Sequence, residues 1–139
     1  TEMVNKLFSL AKSKIGPVLT ELGFATPLRN FLTVKKVFQD DQVMAFYHPK
    51  PFWEIHIVIV PTHKIAVLGD VNHQDSIVMG YMCEVAANLV NKLKLDQYGY
   101  RLITNGGKYQ KVKYLHFHLG AGKQLQIDED GSKNSTPIN

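Results

Sequence analysis

Residues 112–119 read Val112-Lys113-Tyr114-Leu115-His116-Phe117-His118-Leu119, and Gly120-Ala121-Gly122 follows. The alternation of types predicts a β-strand over 112–119, released by the glycines. In a strand, residues two apart share a face. Leu115, Phe117 and Leu119 therefore form a core face, and Tyr114, His116 and His118 line the other. Two neighbouring imidazoles on one side of a strand are a chemical feature. Neutral imidazole is a competent nucleophile and base near pH 7.

Upstream, Ile55-His56-Ile57-Val58-Ile59-Val60 is a compact strand stopped by Pro61. The same periodicity puts His56, Val58 and Val60 on one side. If the two strands lie close, His56 approaches His116 and His118. Residues 31–38 and 43–47 are rich in β-branched and aromatic types, and the polar break Gln39-Asp40-Asp41-Gln42 joins them as a hairpin. Residues 100–105 form a further strand, turned by Gly106-Gly107. Residues 75–95 carry Val78, Met82, Val85, Ala86, Leu89 and Leu93 on one helical face, with Asn72 or Asp75 as the cap. Residues 3–15 show a second amphipathic stripe, ended by Gly16-Pro17, and a short helical turn from Pro17 reaches Leu22. About five strands on one long helix, joined by short turns, predict an α+β domain with an antiparallel sheet.

The chain has 139 residues, the size of one domain. One domain is expected over 1–127, residues 1–30 being its helical N-terminal segment. The polar stretch 128–139 reads as a mobile tail. A 45% apolar and 20% charged composition excludes disordered and fibrous classes. No apolar run is long enough to cross a bilayer, and the first residues lack the layout of a secretion signal. Cys83 is the single cysteine, so no internal disulfide or cysteine-based zinc site can form, and a cytoplasmic location is expected. On its helix it reads as a small buried or interface residue.

Net charge is +4, but fourteen of the sixteen cations are Lys; only Arg29 and Arg101 are Arg. That argues against a dedicated nucleic-acid groove, which usually leans on arginine forks. Lys108, Lys111, Lys113 and Lys123 gather around the histidine segment and suit a small phosphorylated ligand. Phe52 and Trp53 are read either as a base-stacking pair or as packing at the sheet edge.

Tyr114-Leu115-His116-Phe117-His118-Leu119-Gly120 resembles the histidine triad (HIT) motif, three histidines separated by apolar residues. Asp40-Asp41, His56 to Pro61, Tyr100 to Gly106 and Gly122-Lys123-Gln124 agree with it in order and spacing, so the resemblance runs over about residues 32–126. It implies a HIT-like fold and a homodimer sealed by the 75–95 helix and the 100–105 strand. It also implies hydrolysis or transfer at the α-phosphate of a nucleoside monophosphate conjugate, such as a phosphoramidate, acyl or dinucleoside polyphosphate compound. His116 falls on the nucleophile, which is transiently nucleotidylated and oriented by a backbone carbonyl. His118 and His56 fall on its supporting histidines. Asn105, Gln110, Lys111, Tyr114 and His48 fall around the substrate, and no cofactor or metal is implied.

Three positions depart from the Hint-like branch of that family. Tyr114 replaces the first histidine, His48 an acidic residue two positions past Phe46, and Lys111 a serine. The alternative is a catalytically weak nucleotide-binding or protein-interaction module that kept the pocket and lost its relay, in which case Tyr114→His restores rate. A three-imidazole metal site of His56, His116 and His118 is a further alternative.

Overall fold

Local sequence chemistry sets the element boundaries. In a computed structural model that describes residues 35–125 together with Val18, Glu21 and Leu22, five strands and one long helix account for just over half of the described residues. The strands are β1 (Lys36–Gln39), β2 (Val43–Tyr47), β3 (Trp53–Pro61), β4 (Tyr100–Thr104) and β5 (Phe117–Gln124); the helix is α1 (His73–Lys92). The predicted 3–15 helix, the start of the 31–38 strand and the 128–139 tail lie outside the described residues, as does most of the 17–22 turn.

The β1–β2 turn closes because the Asp40 carboxylate accepts from the backbone N–H groups of Gln42 and Val43, both at 2.8 Å. Tyr81 on α1 donates its hydroxyl to the same carboxylate, which ties helix to hairpin. Helix α1 starts at a capping box. The Asn72 side chain accepts from the Asp75 N–H, and the Asp75 carboxylate accepts from the Asn72 N–H. The sheet order is β1-β2-β3-β5-β4, antiparallel throughout, so β5 is inserted between β3 and the edge strand β4.

One face of the sheet packs on α1. Val43, Ala45, Ile57, Ile59, Phe117, Leu119 and Ala121 meet Met82, Val85, Ala86 and Leu89, while Val78 and Leu93 flank them partly buried. Each Val, Leu, Ile, Phe and Met side chain among these contributes about 1.5–3 kcal/mol on burial. On the opposite face Met44, Phe46, Val58, Val60 and Tyr114 form a second cluster with Val18 and Leu22. Because both faces are covered at β2, its sequence is continuously apolar instead of alternating.

Three expectations need correction. The last strand does not span 112–119; it begins at Phe117 and runs to Gln124, through the glycines expected to release it. Residues 112–116 bend instead, because their backbone bonds to a neighbouring loop: the Leu115 N–H donates to the Ile65 carbonyl at 2.7 Å. Gly120 stays in the strand because the Trp53 indole lies on it, where any side chain would collide. Pro61 does not stop the third strand before itself; it is the last residue of β3, paired with Val43, at a position where its missing N–H costs no ladder bond. Cys83 is exposed on α1, which overturns the buried half of its reading; it faces the β4 side of the helix, near Tyr100 and Leu102.

Candidate active site

Strand register assembles the histidines. His118 sits opposite Val58 and His56 opposite Gly120 across β3–β5, so both rings stand on the face away from α1. The His56 Nε2 and His118 Nδ1 atoms are 2.9 Å apart. His116, one residue before β5, turns its ring to 4.8 Å from that of His118, at 68°. His48, just past β2 and partly buried, stacks on His56 with ring centres 4.4 Å apart. His56 and His118 are completely enclosed, whereas His116 keeps 8% of its surface open to solvent.

Burial sets the charge state of these rings. It drives the His118 pKa down to about 2 and that of His56 to about 3, and the neighbouring imidazoles push the same way. His116 is also lowered by burial, against the opposing effect of its bond to the Tyr114 carbonyl. All three are neutral at pH 7, and hydrogen bonding then assigns every ring proton.

The Phe52 backbone N–H donates to His56 Nδ1 at 2.9 Å, so the His56 proton is on Nε2. That proton is donated to His118 Nδ1, which leaves the His118 proton on its own Nε2. The Nε2 atom is buried and has no partner among the described residues. At His116 the polarity is reversed. Its Nδ1–H donates to the Tyr114 carbonyl at 2.6 Å, which leaves the Nε2 lone pair free. Thr104 donates its hydroxyl to the His116 carbonyl at 3.0 Å and steadies the same peptide. The site therefore presents one lone pair and, beside it, one unsatisfied N–H donor.

The remaining predicted residues are placed as follows. Tyr114 is 2% exposed, and its hydroxyl donates to the Pro61 carbonyl at 2.6 Å. Burial raises its pKa to about 12, with a smaller push from Glu21. The phenol is held by Pro61; it is the main-chain carbonyl of Tyr114 that meets His116. Gln110 is buried, its side-chain N–H donates to the Ala66 carbonyl at 2.8 Å, and its Oε1 has no partner among the described residues. Asn105 is half-buried where β4 ends, and Lys111 is exposed. His48 accepts the Lys50 N–H on Nδ1 at 2.9 Å. Phe52 and Trp53 are buried, edge to face with ring centres 5.0 Å apart, and the Trp53 ring stands edge-on to His56. Both rings thus pack on the sheet, as one of the two readings of this pair has it.

The imidazoles with metal-binding spacing are His48, His56 and His118, whose ligand atoms lie within 4.8 Å of one another. This is not the trio anticipated from sequence, which included His116. The set fits a cation poorly. The Phe52 amide fixes the proton on the His56 nitrogen that faces His118, so a metal would have to break both bonds.

Sequence reasoning missed three main-chain groups: the Phe52 N–H and the Pro61 and Ile65 carbonyls. Backbone partners leave no mark in residue types. The one available signal was the proline-bounded Pro51-Phe52 turn leading into a strand that carries His56.

The match to known proteins agrees with this geometry. Residues 31–125 fit the HIT domain model, and the chain belongs to the HIT family. The purine nucleoside phosphoramidase of Escherichia coli (strain K12) is 34% identical over 107 residues, which cover 76% of this chain and 90% of that protein. An uncharacterised HIT-like protein of Buchnera aphidicola (subsp. Baizongia pistaciae) is 33% identical over 104 residues, 73% of this chain and 93% of its own length. Among solved structures, a histidine triad protein from Clostridium difficile superposes with a TM-score of 0.62 at 31% identity, covering 78% of this chain and 90% of the other. At the level of the family the chain is a hydrolase-type protein. No helix among the described residues is long and apolar enough to cross a membrane.

Proposed function

We propose that this protein hydrolyses or transfers nucleoside monophosphate conjugates, phosphoramidates foremost, through a nucleotidyl-histidine intermediate. The observation that carries the reading is the pairing of a free His116 Nε2 lone pair with the orphaned, buried Nε2–H of His118. A buried donor without a partner is costly, and a phosphate oxygen would satisfy it. The E. coli phosphoramidase similarity favours a purine phosphoramidate over the other conjugates.

In the first step the His116 Nε2 lone pair forms an N–P bond while the bond from phosphorus to the leaving nitrogen breaks. That nitrogen keeps the electron pair and takes a proton. The proton does not come through His56, because the Phe52 N–H occupies His56 Nδ1 and no proton can enter there. His56 and His118 hold a donor in place. Lys111, exposed on the loop before His116, is the side chain we assign to the phosphate oxygens, and the leaving nitrogen takes its proton from solvent. Water then attacks phosphorus, the N–P bond breaks, its electrons return to His116 Nε2, and the water proton passes to solvent. We assign Asn105 and Gln110 as further substrate contacts, and His48, which stacks on His56, as a neighbour of the nucleoside.

The exposed Tyr100 and Leu102 lie on the open edge strand β4, beside α1, and support a homodimer sealed along that edge. The exposed free thiol of Cys83 fits a reducing compartment such as the cytoplasm.

The test is rapid quench with adenosine 5′-phosphoramidate labelled at phosphorus. Wild-type protein is expected to carry acid-labile label and His116→Ala to carry none. Absence of both label and turnover in correctly folded wild-type protein would refute the proposal.

A further inference from the structure

At the end of the sheet next to His56, on which the Trp53 ring stands edge-on, lies a cavity of about 300 Å³ walled by Trp53, Tyr98, Arg101, Gly120 and Gln124. We propose that it binds an anionic group, carboxylate or phosphate, on the leaving portion of the nucleotide conjugate, with the Arg101 guanidinium as its anchor. The inference rests on the phosphate-site reading above and adds to it where the rest of the substrate goes.

Register places the cavity. Arg101 pairs with Gly120 and Ile103 with His118, whereas Leu102 pairs with Leu119, a member of the helix-side core. Residues directly opposite in an antiparallel pair share a face, so Arg101 projects on the histidine side of β4. By the same register Tyr100 and Leu102 stand on the other side, and Tyr100 also reaches the edge of the cavity. At about 3.3 Å per residue, Gly120 lies roughly 7 Å beyond His118 along β5, with Arg101 about 5 Å further across.

The chemistry sets the direction. In displacement at phosphorus the leaving atom departs opposite the attacking one. The attacking Nε2 belongs to His116, at the Tyr114 end of this line of residues, so the leaving group heads along β5 toward Gly120 and Arg101. A leaving portion of amino-acid size spans that distance, and the volume is at the low end for small-molecule pockets.

The lining selects charge. The Arg101 guanidinium has no hydrogen bond or ion pair among the described residues. The carboxylate of Glu54 accepts the Lys123 N–H at 2.8 Å and is not its partner. An uncommitted guanidinium matches carboxylate and phosphate through two parallel N–H donors. The Trp53 indole, fixed on Gly120, gives the cavity a rigid apolar wall. In a chain whose cations are nearly all lysines, one of the two arginines stands here.

The experiment compares adenosine 5′-phosphoramidates of an amino acid with a free carboxylate and of its methyl ester. A third arm uses a conjugate whose leaving portion ends in phosphate. Wild-type protein is expected to prefer the anionic member over the ester by about tenfold in kcat/KM. Arg101→Gln should bring that ratio to near one, and Arg101→Lys should retain part of it. The arm with the larger preference tells carboxylate from phosphate. The same ratios are read as Kd by calorimetry on His116→Ala, which does not turn over. Turnover with a wild-type ratio of one, or an unchanged ratio in Arg101→Gln, overturns the Arg101 assignment and leaves the phosphate site standing. An anion preference in Kd without any turnover or covalent label supports the cavity and refutes the catalytic reading alone.

Discussion

Strands β2, β3 and β5 each build two surfaces, and the two obey different physics. Toward α1 they present Ala45, Ile57, Ile59, Phe117 and Leu119, for which burial is itself the driving force. On the reverse, the same strands pass from Met44, Phe46, Val58 and Val60 to His56 and His118, for which burial is a cost. That cost is met by directed bonds: Phe52 N–H to His56, His56 to His118, and His116 to the Tyr114 carbonyl. The chain of donors ends at His118 Nε2, one bond short of satisfaction. The first surface is optimised for the folded chain alone, and the second is completed by a ligand.

Substitutions on the two surfaces should therefore separate activity from stability. The largest effect is His116→Ala, expected to lower phosphoramidate turnover by at least about 10³-fold while the melting temperature barely moves. Leu119→Ala, on the helix side, should do the reverse. It costs roughly 3 kcal/mol of stability by leaving a cavity, read as a lowered denaturation midpoint, with kcat retained in the protein that remains folded. A His116→Ala protein that fails to fold, or a Leu119→Ala protein that folds normally but is inactive, would erase the distinction between the faces.

Acid should expose the cost of the histidine surface without any substitution. Unfolded, His56 and His118 take up protons near 6.5; folded, they resist protonation until about 3 and about 2. Between those values the unfolded chain binds more protons, so stability is complete above pH 6.5 and falls as pH drops. The two rings together remove roughly 3 kcal/mol by pH 5.5, measurable as denaturation midpoints across pH 5 to 8. Replacing His118 by Gln should flatten that slope.

How much of this was readable beforehand follows the same division. The helix face was legible because apolar residues recur at regular periods: Val78 to Leu93 on α1, and Leu115, Phe117 and Leu119 near β5. The joining of His56 to His118 was legible as a possibility, since alternation put both on one face, but their adjacency depended on β5 entering the sheet beside β3. Nothing local in the sequence specifies that insertion. The start of β5 was misplaced because residues 112–116 alternate like a strand, yet the bond from Leu115 N–H to the Ile65 carbonyl, fifty residues away in sequence, bends them. The glycines at 120 and 122 read as an exit because they lack side chains. Gly120 lacks one to make room for Trp53, a contact invisible without the partner.

Tyr114 supplies the smallest effect and the sharpest use of the comparison. By sequence it occupies a triad position, and on the alternative reading, a module that lost its relay, restoring histidine there raises the rate. In the structure its side chain belongs to the apolar cluster with Val18 and Leu22, its hydroxyl is bonded to Pro61, and only its main-chain carbonyl meets His116. A main-chain carbonyl survives substitution. Tyr114→Phe should cost about 1 kcal/mol through the lost bond to Pro61, with kcat/KM within about twofold of wild type. Tyr114→His should lose packing as well as that bond and gain no rate, because an imidazole at this position faces the apolar cluster and the Pro61 carbonyl, away from the phosphate. A tenfold rise in kcat/KM for Tyr114→His would show that the side chain at 114 enters the proton path, and would move that residue from the structural half of this face to the chemical one.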